Sequence, residues 1–162
     1  MSSIIHYLVV FLISMVPLVE IRFAIPYAVG IIKSGVELNP VICCIAAIAG
    51  NMLPVPFIFF FARKVLEWGA NKPVIGKFFT FCLEKGKKGG DKLKETAGRG
   101  LPFALFLFVG IPLPGTGAWT GTLAASILDM EFKSSVKAVI CGVILAGTIT
   151  GLICFGAFSA IF

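Results

Sequence analysis

The sequence predicts an all-α integral membrane protein made of two inverted repeats. Each repeat is a re-entrant broken helical hairpin followed by a transmembrane helix. A basic cytoplasmic or interfacial helical linker joins them. Three observations predict this: an apolar composition, four apolar segments of two kinds, and the order in which those segments recur.

Apolar residues make up 58% of the 162-residue chain and charged residues only 14%, with a mean hydropathy of +1.01. A soluble domain carries about 45–50% apolar and about 25% charged residues. Too few polar groups remain to cover a soluble surface, so a single transmembrane domain over 1–162 is expected. Repeat one is 1–62, the linker 63–99 and repeat two 100–162. The first basic residue is Arg22, so the chain has no basic n-region, and the first apolar segment is expected to stay in the mature protein.

The net charge of +6 sits in one place. Residues 63–99 hold ten Lys/Arg and four Asp/Glu, which accounts for all of it. Such a block beside long apolar segments is the positive-inside signal and places the linker in the cytoplasm. It lacks the interleaved aromatics of a base-stacking surface, so no nucleic acid is expected. Within it, 72–81 mixes aromatics and lysines as an interfacial helix does, and 84–96 is polar.

The apolar segments run over 4–32, 40–62, 101–128 and 136–162. The second and fourth have the length of a full span, about 20 residues. The first and third are 29 and 28 residues long. That is too short for two spans of about 20 residues each. As one straight helix it would be about 43 Å. Both are interrupted, the first by Pro17 and Pro26, the third between Gly110 and Gly121 with Pro112 and Pro114 inside. Proline removes a backbone donor and clashes with the preceding turn. Broken backbone at membrane depth persists only where protein or a wet cavity satisfies it. If both segments are hairpins, twelve Lys/Arg lie inside and one outside; if both are broken full spans, the division is ten to three. The hairpin arrangement fits the rule better.

The halves repeat each other. Val16-Pro17-Leu18 recurs as Ile111-Pro112-Leu113, 95 residues on, and Ala49-Gly50-Asn51 as Ala146-Gly147-Thr148, 97 on. A hairpin plus one span makes an odd number of crossings, so the second half is inverted. Inverted repeats whose broken helices meet at the midplane are a transporter arrangement.

Two clusters can carry chemistry. The first is Glu20 and Arg22, between Pro17 and Pro26. A charge at bilayer centre costs roughly 2.5–3.5 kcal/mol. Residues i and i+2 face different sides of a helix. The two therefore pair only if the chain is unwound there; otherwise each meets its own partner in the opposite hairpin. They could hold the fold together, or form a proton-linked carboxylate beside an anion-binding arginine. The second cluster is Gly115, Thr116, Gly117, Trp119 and Thr120, with Gly121 closing the break. Glycines let backbone amides and carbonyls approach a ligand, and half-helix N-termini favour anions. Close packing by small residues would use the same letters. GTGAWTG has the wrong spacing for a dinucleotide loop. Asn51, beside Gly50 and Pro54, is a further substrate-contact candidate. His6 is expected at the interface, and Asp129 and Glu131 in solvent.

The five cysteines have no zinc-type spacing with a histidine, and no Ser/His/Asp or Cys/His set occurs. No metal, cofactor or enzymatic activity is expected.

The runs PLVEIRFAIP and IPLPGTGAWTG resemble those of the small multidrug export proteins, and the resemblance covers most of the chain. More distantly, the layout is similar to the DedA (VTT-domain) membrane proteins. Their P-x-x-E motif is matched by Pro17 and Glu20. Their R-F-I-P-G-x-R motif is matched by Pro114-Gly115, with Leu123-Ala-Ala following, but both arginines are absent. The first resemblance implies a transporter; with the reading of Glu20 above, the expectation is a secondary transporter, a small-molecule exporter coupled to protons through Glu20, in a prokaryotic inner membrane. The second implies a flippase or scramblase for an anionic lipid such as polyprenyl phosphate. An ion channel and a non-transporting assembly protein are the other readings. Expected partners are membrane lipids, a small-molecule, ion or lipid-headgroup substrate, and a second copy in a homodimer.

Overall fold

Two helical stretches, Pro40–Phe61 and Phe132–Cys154, are long and apolar enough to cross a membrane. Only 33% of the most apolar part of each is buried inside the chain. The rest presents side chains such as Ile45, Phe57, Ile144 and Leu152 outward, as lipid-facing helices do. The computed structural model describes residues 2–73, 76, 77, 80, 84, 100–113 and 115–161. Most of the linker, including most of the predicted interfacial helix at 72–81 and the polar stretch at 84–96, lies outside the described residues, as does Pro114.

The described residues are helical, with no strands among them. Helix α1 is Ser2–Met15 and α2 is Glu20–Lys33. Helix α3 is Pro40–Met52 and α4 is Val55–Ala70. After the linker come α5 (Gly100–Gly110), α6 (Ala118–Ile127) and α7 (Phe132–Ile161). Helix α1, at about 21 Å, and α5, at about 16 Å, are each shorter than the ~30 Å hydrocarbon core.

Local chemistry sets the ends. Pro17 disfavours helical backbone at Val16, and α1 stops at Met15. Gly35, at φ +93°, turns the chain after α2, and the amides of Ser34, Gly35 and Val36 bond back to Gly30, Ile32 and Ile31. Asn39 caps α3 by accepting from the Val41 amide at 2.9 Å, with Pro40 at the first helical position.

Two sequence expectations are corrected. Pro26 lies inside α2 and does not break it. Its exposed, outward-facing position costs one backbone hydrogen bond, and the buried face of α2 (Ile21, Ala24, Ile25, Ala28, Val29) carries the helix through. Gly121 lies inside α6 and serves packing: a Cβ there would crowd the Val109 side chain of α5. The expected span at 40–62 is present as the stretch Pro40–Phe61, with a turn at Leu53–Pro54 between α3 and α4, where Pro54 removes a helical donor.

The two halves pack by one scheme. Helix α1 packs on α3, and α5 on α7. Helices α1 and α2 contact each other, as do α5 and α6. The second helix of each broken segment then crosses over: α2 lies on α7, and α6 on α4. Small residues permit the close approaches. A Cβ at Gly50 would overlap the Phe11 carbonyl, and one at Gly142 would lie 2.9 Å from the Phe106 carbonyl. Phe11 and Phe106 are 95 residues apart, the spacing of the proline motifs. The glycine that packs like Gly50 is therefore Gly142, not the sequence-matched Gly147. Hydroxyls pin the same contacts. Ser14 donates to the Ala47 carbonyl, and Ser126 to the Phe59 carbonyl at 2.7 Å.

Candidate functional site between the two helix breaks

Four helix ends are exposed by the two breaks: the C-termini of α1 and α5 and the N-termini of α2 and α6. The last four carbonyls and first four amides of a helix have no partner within it. In an apolar setting each such orphan costs several kcal/mol. Side chains reaching across from the opposite segment meet two of the four ends and the loop carbonyls that follow a third.

Glu20 serves α6. Its side chain is 3% exposed. Oε2 accepts from the Ala118 amide and Oε1 from the Trp119 amide, each at 3.0 Å. The carboxylate thus sits on the positive end of α6, where its charge is favoured. Arg22 serves the loop that follows α5. Nη1 donates to the Leu113 carbonyl, and Nη2 donates to the Ile111 carbonyl at 3.3 Å and to Thr116 Oγ1 at 2.7 Å. The Thr116 hydroxyl is itself 2.9 Å from both of those carbonyls. Trp119 returns the connection: its indole N–H donates to the Met15 carbonyl at 3.1 Å, closing the C-terminus of α1. Glu20 and Arg22 therefore reach separate partners in the opposite segment, as their i, i+2 spacing allows.

Backbone conformation prepares the contact. Leu18 (φ +67°) and Glu20 (φ +52°) are non-glycine residues in the left-handed region, a conformation costing roughly 1–3 kcal/mol each. The strain turns the chain so that Glu20 starts α2 pointing across the break. Gly117 is at φ +145°, and a Cβ there would overlap the Glu20 carboxylate. Gly115, at φ +82°, makes the turn in the second break with open space around it.

The sequence candidates separate accordingly. Glu20, Arg22, Thr116, Gly117 and Trp119 meet directly. Asn51 joins them from α3: it is 0% exposed and lies near Glu20, yet neither amide atom makes a hydrogen bond. Gly115 shapes the loop. Thr120 stays local, its hydroxyl 3.5 Å from the Gly117 carbonyl. Pro17 and Pro112 lie in the two breaks. His6 bonds Tyr27 at 3.2 Å, away from the breaks.

Sequence reading missed Thr122. It is 1% exposed, one turn beyond Ala118 on the same face of α6, and its hydroxyl has no partner. A buried threonine four residues after a helix start was the available signal. Arg22 Nε is likewise buried and unpaired. Among the described residues, no group of three or more His, Cys, Asp or Glu gathers as a metal site would require.

Comparison with known families gives one finding. A family model described as "Putative small multi-drug export protein" matches residues 20–149. That interval begins at Glu20 and includes every residue of the contact except Met15. No curated protein and no solved structure matches the chain.

Proposed function

The chain belongs to the putative small multi-drug export protein family, and on that premise we propose that it is a proton-coupled secondary transporter working at the contact between its two helix breaks. The two broken segments act as re-entrant hairpins entering from opposite faces of a prokaryotic inner membrane, with the basic linker in the cytoplasm. The shared packing scheme of the halves supports this arrangement, as does the shortness of α1 and α5.

One observation carries the coupling. The segments are tied by a carboxylate on two amides and a guanidinium on two carbonyls and a hydroxyl. A carboxylate accepts at both oxygens, whereas a protonated carboxyl turns one of them into a donor. One proton on Glu20 thus removes one tie to α6 outright and the charge assistance from the other. The segments can then part and reseal, which is the gating that alternating access needs.

A homodimer belongs to the same reading. Leu18 and Leu113, at the two breaks, are 66% and 55% exposed. Lipid cannot hydrogen-bond the broken backbone beside them, so a second copy would cover it.

Glu20→Gln is the deciding variant. In proteoliposomes it should abolish transport driven by a pH gradient while membrane yield is kept and thermal unfolding falls by only a few degrees, since the Gln N–H₂ cannot accept from one of the two amides. Pumping at the wild-type rate by that variant would refute the coupling role.

A further inference from the structure

The Glu20 carboxylate is bound as a ligand would be. Each oxygen takes its own backbone amide, from Ala118 and from Trp119. Helix N-termini hold free carboxylates and phosphates in this manner. Gly117 supplies the cradle, since any side chain there would fill the volume the two oxygens occupy. Helix α6 is ten residues long, enough for a developed N-terminal field.

The surroundings hold more donors than Glu20 uses. The Asn51 amide, the Arg22 Nε–H and the Thr122 hydroxyl are buried and unpartnered, with Asn51 0% and Thr122 1% exposed. Such groups are rare in folded proteins and call for a partner. An amide N–H₂ and a guanidinium N–H only donate. A partner with several acceptor oxygens and negative charge meets the Asn51 N–H₂ and the Arg22 Nε–H, and an O–H left on it, as in a phosphate monoanion, meets Asn51 Oδ1. The Glu20 carboxylate, tethered to α2, takes the two amides with Asn51 beside it but outside good hydrogen-bond geometry, and a free oxyanion has the extra oxygens or the freedom to meet it.

We propose that Glu20 is the resident occupant of an oxyanion site, and that the substrate carries a carboxylate or phosphate group that takes its place. This rests on the contact being the transport site. Proton and substrate are then linked by competition: the proton neutralises the internal anion, and the substrate anion fills the amides it vacates. The strained backbone at Leu18 and Glu20 favours departure once the hydrogen bonds weaken.

Removing the internal anion should create a site that an external one fills. Glu20→Ala, purified in discs of neutral lipid, should unfold at a lower temperature than wild type. Acetate or inorganic phosphate should raise its midpoint by about 5–10 °C at ~100 times Kd, with no rise for chloride at equal ionic strength. Wild type should not respond, its amides being occupied. Adding Asn51→Leu to Glu20→Ala should cut the affinity at least about tenfold, the worth of one buried hydrogen bond. Discs containing phosphatidic acid separate the sources: protection by that lipid and not by the soluble anions assigns a headgroup, and the reverse assigns a soluble substrate. Protection by neither overturns the proposal. Should Glu20→Ala fail to fold, the Ala118 and Trp119 amide resonances of wild type at pH 4.5 give the second reading. Both should shift with added phosphate, and unmoved resonances overturn the proposal. Neither measurement involves transport, so a Glu20→Gln variant that stops pumping while these anion tests fail keeps the coupling carboxylate and removes only the anionic substrate.

Discussion

The two breaks occupy equivalent places in the two halves, yet they are made of opposite materials. The first is short, residues 16–19, and carries its chemistry in side chains that follow it at Glu20 and Arg22. It accepts strain at two residues with a Cβ to aim them. The second spans 111–117 and offers backbone: carbonyls at Ile111 and Leu113, and amides at Ala118 and Trp119. Its positive-φ positions are glycines. Moved on by the 95 residues that separate the two Pro-Leu motifs, position 20 falls on Gly115 and position 22 on Gly117. Where the first break has its charges, the second has no side chain at all. Two identical charged tips would repel across the contact, and two bare ones would leave orphaned helix ends. Unlike tips satisfy each other.

That complementarity can be broken in graded steps. The largest effect is expected for Gly117→Ala, which puts a Cβ into the Glu20 carboxylate and a left-handed strain on the chain. The loss should be about 3–5 kcal/mol in denaturant titration in mixed micelles. Gly115→Ala, at a similar φ sign in open space, should cost only about 1–2 kcal/mol. Equal losses at the two glycines would mean that conformation, and not the carboxylate, dominates. Arg22→Gln comes between them. It uncovers the Ile111 and Leu113 carbonyls and should cost about 2–3 kcal/mol. Trp119→Phe removes the indole N–H that bonds the Met15 carbonyl together with part of the ring, for about 1–2 kcal/mol. Thr120→Val, whose hydroxyl makes one weak local contact, should change stability by less than about 0.5 kcal/mol. An effect of Thr120→Val as large as that of Trp119→Phe would move the boundary of the contact one residue further along α6.

Much of this was legible from the letters. The apolar runs that read as spans at 40–62 and 136–162 overlap the two long stretches of α3–α4 and α7. Pro17 and the 110–117 region announced where helices stop, because proline and left-handed glycine act on their own backbone. The runs around Glu20 and around Trp119 resemble the family that the match over 20–149 identifies. Legibility failed where the outcome depended on a neighbour. Pro26 looked like Pro17, but the packing of five α2 residues outweighs one lost hydrogen bond. Gly121 looked like a break because its role lies in Val109 of another helix. Thr122 drew no notice, since burial of a hydroxyl is set by what packs over it.

The sequence by itself determined that the chain is apolar and helical, that two of its segments are interrupted, and that one interruption bears a carboxylate and a guanidinium. These follow from composition and from backbone rules acting within a few residues. Only the tertiary structure decided that the carboxylate caps α6, that the guanidinium holds the loop after α5 and that Trp119 closes α1 in return. Those choices join residues 91 to 104 positions apart. The need of an orphaned helix end for a partner is local, but which group meets it depends on how the helices stack.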